Sequence, residues 1–295
     1  MLGLASETGS ILNVYKKYLR DGIDVAASRE QLEEELGDLL WYMAAVATAC
    51  GLDLETIARA NLARTRDRYG DSAATRDDLS GLPIFDHEYP PHERFPRRIV
   101  IECVEHALPA GRLVAQMRLV SAQPNPFADE PVAAADATQR GFRVGSNLGE
   151  ELTDNSRRSD AYRFHDAIHL GFMSVLGWSP TTRALLGLKR KSDAETDEVE
   201  DGARAIFAEE GLAAILSRLA ARRMGFLSEM SIDREVIDIA RAAAADLEVE
   251  QMPGWLWRRA ITHGFNAMHK LSANGGGYLI GDLEAHSLTY AKLPP

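Results

Sequence analysis

Cysteine is nearly missing from this chain, with Cys50 and Cys103 the only two in 295 residues. So low a count excludes a disulfide framework and a thiolate zinc site, and it fits a reducing cytoplasm in which both thiols are inert. Long apolar runs are also absent. No stretch approaches the roughly 20 residues of a membrane span, and the start lacks the basic-then-apolar pattern of a secretory signal. The expectation is a cytoplasmic protein with no membrane partner. Basic residues are outnumbered 33 to 44, for a formal charge of −11. That balance offers no broad cationic face to nucleic acid or an anionic bilayer, so the expected partner is a small substrate. No fixed-period repeat is present. With 45% hydrophobic residues the chain can bury one large core or two smaller ones, and two domains fit its organisation better.

What is present reads as a mainly α fold. Helical spacing runs over about 3–20 and stops at Asp21-Gly22; Ser28 and Gln31 form a capping box for a helix reaching Cys50; a third helix follows Asp53 and ends at Gly70. These make a helical unit over 1–70. Residues 71–96 carry Ser80, Gly81, Pro83, Pro90, Pro91 and Pro96, the punctuation of a linker. A β-containing connector over 97–150 is expected next, with 97–105 and 112–120 pairing as a hairpin around Pro109-Ala110-Gly111, an exposed Ala/Pro-rich loop over 122–140 and a short strand at 142–144. From 151 to 295 the chain reads as a C-terminal α-helical domain. Its helices fall near 161–176, 180–188, 197–223, 232–247 and 254–272, followed by a turn at Gly275-Gly276-Gly277 and a short strand at 278–280.

Carboxylates occupy positions where these helices would ordinarily keep leucine. Leu4, Ile11, Val14, Tyr15 and Tyr18 mark one apolar stripe, and Glu7 falls inside it. Leu32, Leu36, Leu39, Met43 and Val46 mark a second, with Glu35 and Asp38 on it or at its edge, one turn apart. Unpaired inward carboxylates are strongly disfavoured, so Glu7, Glu35 and Asp38 call for a cation. An oxygen-only set points to a hard ion, Mg²⁺ or else Mn²⁺. The competing reading is an ion-pair knot closed by Lys16, Lys17 or Arg20. A metal-bearing acid cluster suits hydrolysis of a polyphosphate by an oriented water, with Glu34 or Glu35 as the base. Lys16, Lys17, Arg20, Asn61, Arg64 and Arg68 are candidates to neutralise phosphate charge, each weighed against an ordinary solvated surface role.

The segments GLASETGS over 3–10, EELGDLLWY over 34–42 and ANLARTRDR over 60–68 resemble the MazG family of all-α nucleoside triphosphate pyrophosphohydrolases. The resemblance implies Mg²⁺-dependent cleavage between the α and β phosphates, giving monophosphate and pyrophosphate, in a helical fold that assembles as a homodimer or higher homo-oligomer. The family pattern is E-x-x-E followed by E-x-x-D. Glu35 and Asp38 match the second element and Glu7 begins the first, while Ser10 stands where the second acid belongs. The serine removes a ligand charge and weakens any second metal site. Family members usually carry a helix before the first motif, so this start implies a shortened chain or a partner that supplies packing surface. A nucleotide-binding sensor without turnover is the alternative that Ser10 favours.

The second half resembles the C-terminal helical domain attached to some MazG-like proteins, through LTDN at 152–155, YRFHDAIHL at 162–170, KRKSD at 189–193 and DEVEDGARAIFAEE at 197–210. No activity comes with that resemblance. His165 and His169 lie four apart on one helical face with Asp166 beside them, the spacing of two ligands to one transition metal. Glu209 and Glu210 interrupt apolar stripes as Glu7 does. His165, Asp166, His169, Arg204, Glu209 and Glu210 therefore form a second candidate site: a metal centre, or a closed polar network with Arg163 or Arg204 as the buried partner. A hydrolase whose main chemistry lies here is a further alternative. Lys189, Arg190 and Lys191 read as solvated charges at a helix end.

Overall fold

The computed structural model describes residues 2–22, 25–70, 81–109, 111–128, 141–157 and 159–295. The chain divides into two compact units, Met1–Arg66 and Asp67–Pro295.

The first unit is built on α1 (Leu2–Asp21) and α2 (Arg29–Ala49), followed by α3 (Leu54–Tyr69). Gly22 and Gly51 take positive φ just past α1 and α2 and let the chain turn out of each helix. Asp53 opens α3 by accepting the Thr56 amide at 2.7 Å. Ser28 precedes α2 without a side-chain capping bond, so the capping box read from Ser28 and Gln31 is not formed. Tyr42 lies over Gly3 so closely that a Cβ there would sit 2.3 Å from the ring. With only this helix pair to pack, the unit buries Val14 and Ala47 and leaves Leu12, Leu19, Leu40 and Trp41 exposed.

The second unit joins a sheet to helices. Its strands are β1 (Arg98–Ala107), β2 (Leu113–Gln123), β3 (Asn147–Leu152), β4 (Gly276–Asp282) and β5 (Ser287–Ala291). They form one antiparallel sheet in the order β3-β2-β1-β4-β5. The strands within 97–150 are thus no separate connector, because β1 pairs along its length with β4 from the far end of the chain. The expected hairpin is present, whereas 142–144 is not a strand and the third strand begins at Asn147. Of the expected loop over 122–140, residues 129–140 lie outside the described residues, as do residues 71–80 of the expected linker.

Among the described residues six α-helices join the sheet in this unit: α4 (Asp166–Leu176), α5 (Pro180–Leu185), α6 (Ala194–Val199), α7 (Ala203–Ala220), α8 (Arg234–Ala243) and α9 (Gly254–Asn274). α4 lies at the centre. Ala167, Leu170 and Met173 pack with Ile99, Ile101 and Leu119 of the sheet. Ile168, Phe172 and Val175 pack into a second cluster with Leu212, Leu216, Trp257 and Phe265. Buried on both sides, this short helix reads as an apolar run, and its polar residues therefore stand out.

Residues 81–96 do not behave as a linker either. Asp86, Glu93 and Phe95 are buried; Asp86 accepts the Phe95 amide at 2.7 Å and the Arg97 guanidinium at 2.9 Å, and Glu93 accepts the Ser192 amide at 3.0 Å. Arg190 is likewise buried, donating to Asp201 at 2.7 Å and Glu248 at 2.8 Å, in place of the solvated helix-end charge expected. No helix among the described residues is long and apolar enough to cross a membrane.

Candidate functional site

Antiparallel packing of α1 on α2 carries Glu7, one turn beyond the Gly3–Tyr42 contact, to Glu35 and Asp38. Desolvation, a hydrogen bond with Glu35 and the negative charges of Asp38 and Glu35 all raise the pKa of the Glu7 carboxyl. The acids are less enclosed than their stripes predict, Glu7 and Glu35 being half-buried and Asp38 exposed, because a two-helix layer has too little mass to cover them. Ser10 follows Glu7 by one turn and is half-buried. Glu34 is exposed beside Glu35.

The basic candidates on α1 lie further along that helix than Glu7. Lys16, Lys17 and Arg20 are exposed on α1. The nearest of them follows Glu7 by nine residues, roughly 14 Å along a helix. Arg20 is held by Asp21 at 2.5 Å, so it does not fold back to neutralise the acids. Asn61 and Arg64 are exposed on α3, and the side chain of Arg68 lies outside the described residues.

The second cluster is more closely assembled. His165, Asp166 and His169 each present one ligand atom within 4.8 Å of the other two, a condition met by no other His, Cys or acidic trio among the described residues. His165 ends a short 3-10 turn (Tyr162–Phe164), where its Nδ1 lies 2.8 Å from the Tyr162 carbonyl and its ring stacks on that of Tyr162 at 4.3 Å. His169, one turn further, is fully buried with Nδ1 2.9 Å from Glu209 Oε1. Burial alone would lower the His169 pKa, but Glu209 and then Glu210 outweigh it and hold the pKa well above the ordinary value. Desolvation raises that of Asp166, and the two histidines depress that of Glu210 against the opposing effect of its burial.

Glu209 serves to position His169. Its carboxylate also accepts the Ser179 hydroxyl at 2.6 Å and the Thr181 amide at 2.8 Å, fixing it to the start of α5. Ser179 and Thr181 are not among the site residues expected from the sequence, although Ser-Pro-Thr-Thr over 179–182 is a recognisable helix start. Two arginines expected here are elsewhere: Arg204 is exposed on α7, and Arg163 is buried but engaged by Glu105 at 2.5 Å and Asp154 at 2.9 Å. Tyr162 also borders an open cleft of about 840 Å³ lined by Asp154, Ser217, Arg218, Phe265 and His269.

Residues 1–71 match the MazG nucleotide pyrophosphohydrolase domain, and residues 130–294, more than half of the chain, match the MazG C-terminal domain. The chain belongs to the MazG family. A MazG assignment suggests nucleotide pyrophosphohydrolase activity, and the acid cluster lies within the part of the chain that carries it. Among curated proteins, the Gene 37 protein of Mycobacterium phage L5 is 39% identical over 69 residues, which are 23% of this chain and 60% of that protein. This MazG chain therefore covers less than two thirds of that relative's length, and the relative's name assigns no activity. No solved structure matches the chain.

Proposed function

We propose that this MazG-family protein is an Mg²⁺-dependent hydrolase that cleaves an NTP, a dNTP or a modified nucleotide to its monophosphate and pyrophosphate. The observation that carries the reading is the convergence of Glu7 on Glu35 and Asp38, a set whose charged members are all acids, with the Glu7 pKa raised by desolvation, by a hydrogen bond with Glu35 and by the charges of Asp38 and Glu35. Such a set fits a hard divalent ion, Mg²⁺ or Mn²⁺, held by Glu7, Glu35 and Asp38. Bound there, the ion supplies charge neutralisation for the polyphosphate. Glu35 or the adjacent Glu34 accepts the proton of the attacking water as its oxygen bonds to the α phosphorus and the bond to the pyrophosphate oxygen breaks. Lys16, Lys17, Arg20, Asn61, Arg64 and Arg68 are read as substrate contacts, contributed by the same or a second copy.

A homodimer or higher homo-oligomer belongs to this reading, supported by the apolar side chains that the first unit leaves uncovered. So does a cytoplasmic location, supported by two free cysteines. Ser10 favours a second reading, a sensor that binds nucleotide without turnover. A panel of NTPs, dNTPs and modified nucleotides incubated with Mg²⁺ separates the two. Monophosphate plus pyrophosphate, lost in Glu35→Gln and Asp38→Asn, supports the hydrolase; binding without products supports the sensor. Turnover that survives both substitutions and disappears in His165→Ala or Glu210→Gln would move the chemistry to the second unit.

A further inference from the structure

We propose that His165, Asp166, His169 and Glu210 form a mononuclear site for a divalent first-row transition metal in the second unit, distinct from the oxygen-only cluster of the first. Both imidazoles have Nδ1 engaged, on the Tyr162 carbonyl at 2.8 Å and on Glu209 at 2.9 Å, and this leaves both Nε2 atoms facing Glu210, with that of His165 also facing Asp166. That is how metal-binding histidines are held: the second nitrogen donates to a carbonyl or carboxylate, fixing tautomer and ring direction.

The spacings around Nε2 are those of ligands to a common ion. His165 Nε2 lies 3.5 Å from Asp166 Oδ1 and 3.7 Å from Glu210 Oε2, and His169 Nε2 lies 3.5 Å from Glu210 Oε1. These are long for hydrogen bonds, whose usual heavy-atom separation is about 2.9 Å. Four ligands at about 2.1 Å from a tetrahedral ion would stand about 3.4 Å from one another. Glu210 turns one oxygen to each imidazole, and His169 Nε2 is a buried nitrogen with no hydrogen-bond partner. A buried polar atom left unmet is costly, and a cation between the four groups meets it together with both acids. Two nitrogens and two oxygens without sulfur suit Zn²⁺, Mn²⁺ or Fe²⁺ better than Mg²⁺. Glu210 is 39% exposed, so one side of the site opens outward.

Co²⁺ titrated into the chelator-treated full chain carrying Glu35→Gln and Asp38→Asn tests the site alone, so its failure is separable from failure of the hydrolase reading. Expected are one Co²⁺ per chain by equilibrium dialysis, a visible d–d band of a four- or five-coordinate ion, and displacement by Zn²⁺. Further substitution of His169→Ala or Glu210→Gln should remove the band. Glu209→Gln, acting only through His169, should keep the band but weaken affinity by about 10–100-fold. Glu210→Gln alters a partly exposed side chain and keeps the test decisive should His169→Ala not fold, with circular dichroism checking each variant. Absence of stoichiometric Co²⁺, or binding at parental affinity in folded Glu210→Gln, would overturn the site and leave His169 as an imidazolium held between two glutamates.

Discussion

Gly171 and Gly264 meet where α4 crosses α9, leaving no room for a side chain on either. A Cβ at 171 would lie 2.8 Å from the Ala260 carbonyl oxygen and 3.0 Å from Gly264 Cα, and one at 264 would lie 2.9 Å from Ile168 Cα. The obstructing atoms are backbone, so accommodation means moving a helix. Gly171→Ala and Gly264→Ala are each expected to destabilise by about 1–3 kcal/mol, read as a lower denaturant midpoint. A variant as stable as the parent would show that the crossing has slack.

Glu200, at the end of α6, has a pKa raised from 4.5 to about 7 by desolvation first and the nearby Glu248 second. A carboxyl raised in the fold binds its proton more tightly there than in the unfolded chain. The stabilisation is therefore complete below the unfolded value and is lost as pH rises through the folded one. Between pH about 4.5 and about 7 the parent should lose on the order of 1–3 kcal/mol through this group, after discounting for its partial solvation. Glu200→Gln should flatten that slope in urea titrations across the interval; an unchanged slope would exclude the assignment.

Asp201 is buried between Arg190, 2.7 Å away, and Arg183, 3.5 Å away. Its removal leaves guanidinium charge inside with one fewer counter-charge. Asp201→Ala is predicted to cost about 3–5 kcal/mol. A loss below 1 kcal/mol by chemical denaturation would mean that Asp86 and Glu248 already balance the pair.

Ser10→Glu restores a second acid one turn from Glu7. If the acids of the first unit hold Mg²⁺, the added ligand charge should lower the Mg²⁺ concentration giving half-maximal pyrophosphate release several-fold. An unchanged or higher requirement would remove Ser10 from the metal's surroundings.

Trp41 is 65% exposed and Leu40 62% exposed on adjoining positions of α2. Replacing both with glutamate should shift the sedimentation of the chain from oligomer to monomer with helicity retained. Sedimentation of the unsubstituted chain as a monomer at micromolar concentration would refute the oligomer.

The first two helices were legible nearly to the residue, expected over 3–20 and from 28 to 50 and found at Leu2–Asp21 and Arg29–Ala49, because periodicity and glycine stops are local signals. The single helix expected over 197–223 is instead broken at Asp201-Gly202, since Asp201 turns inward to Arg190. Likewise, prolines made 81–96 look like a tether, although Asp86 and Glu93 are anchored by Arg183 and Ser192, about a hundred residues away and invisible to any local pattern. β3, Asn147–Leu152, is not legible in the sequence, which has no apolar alternation there, because its place is set by pairing with β2. At the second site, the i, i+4 histidines and the two glutamates were readable. What orients His169, the Glu209 link to Ser179 and Thr181, required the fold.

β1 lies at the middle of the sheet, and its partner on one side is β4, made of residues that follow it by more than 170 positions. During synthesis the ribosome releases β1 and β2 long before β4 exists, so the nascent hairpin waits with one edge unpaired. Closing so long a loop is entropically slow, and an open edge invites pairing with neighbouring chains. A stop codon upstream of Gly276 would thus be expected to yield insoluble material, not a shorter working protein.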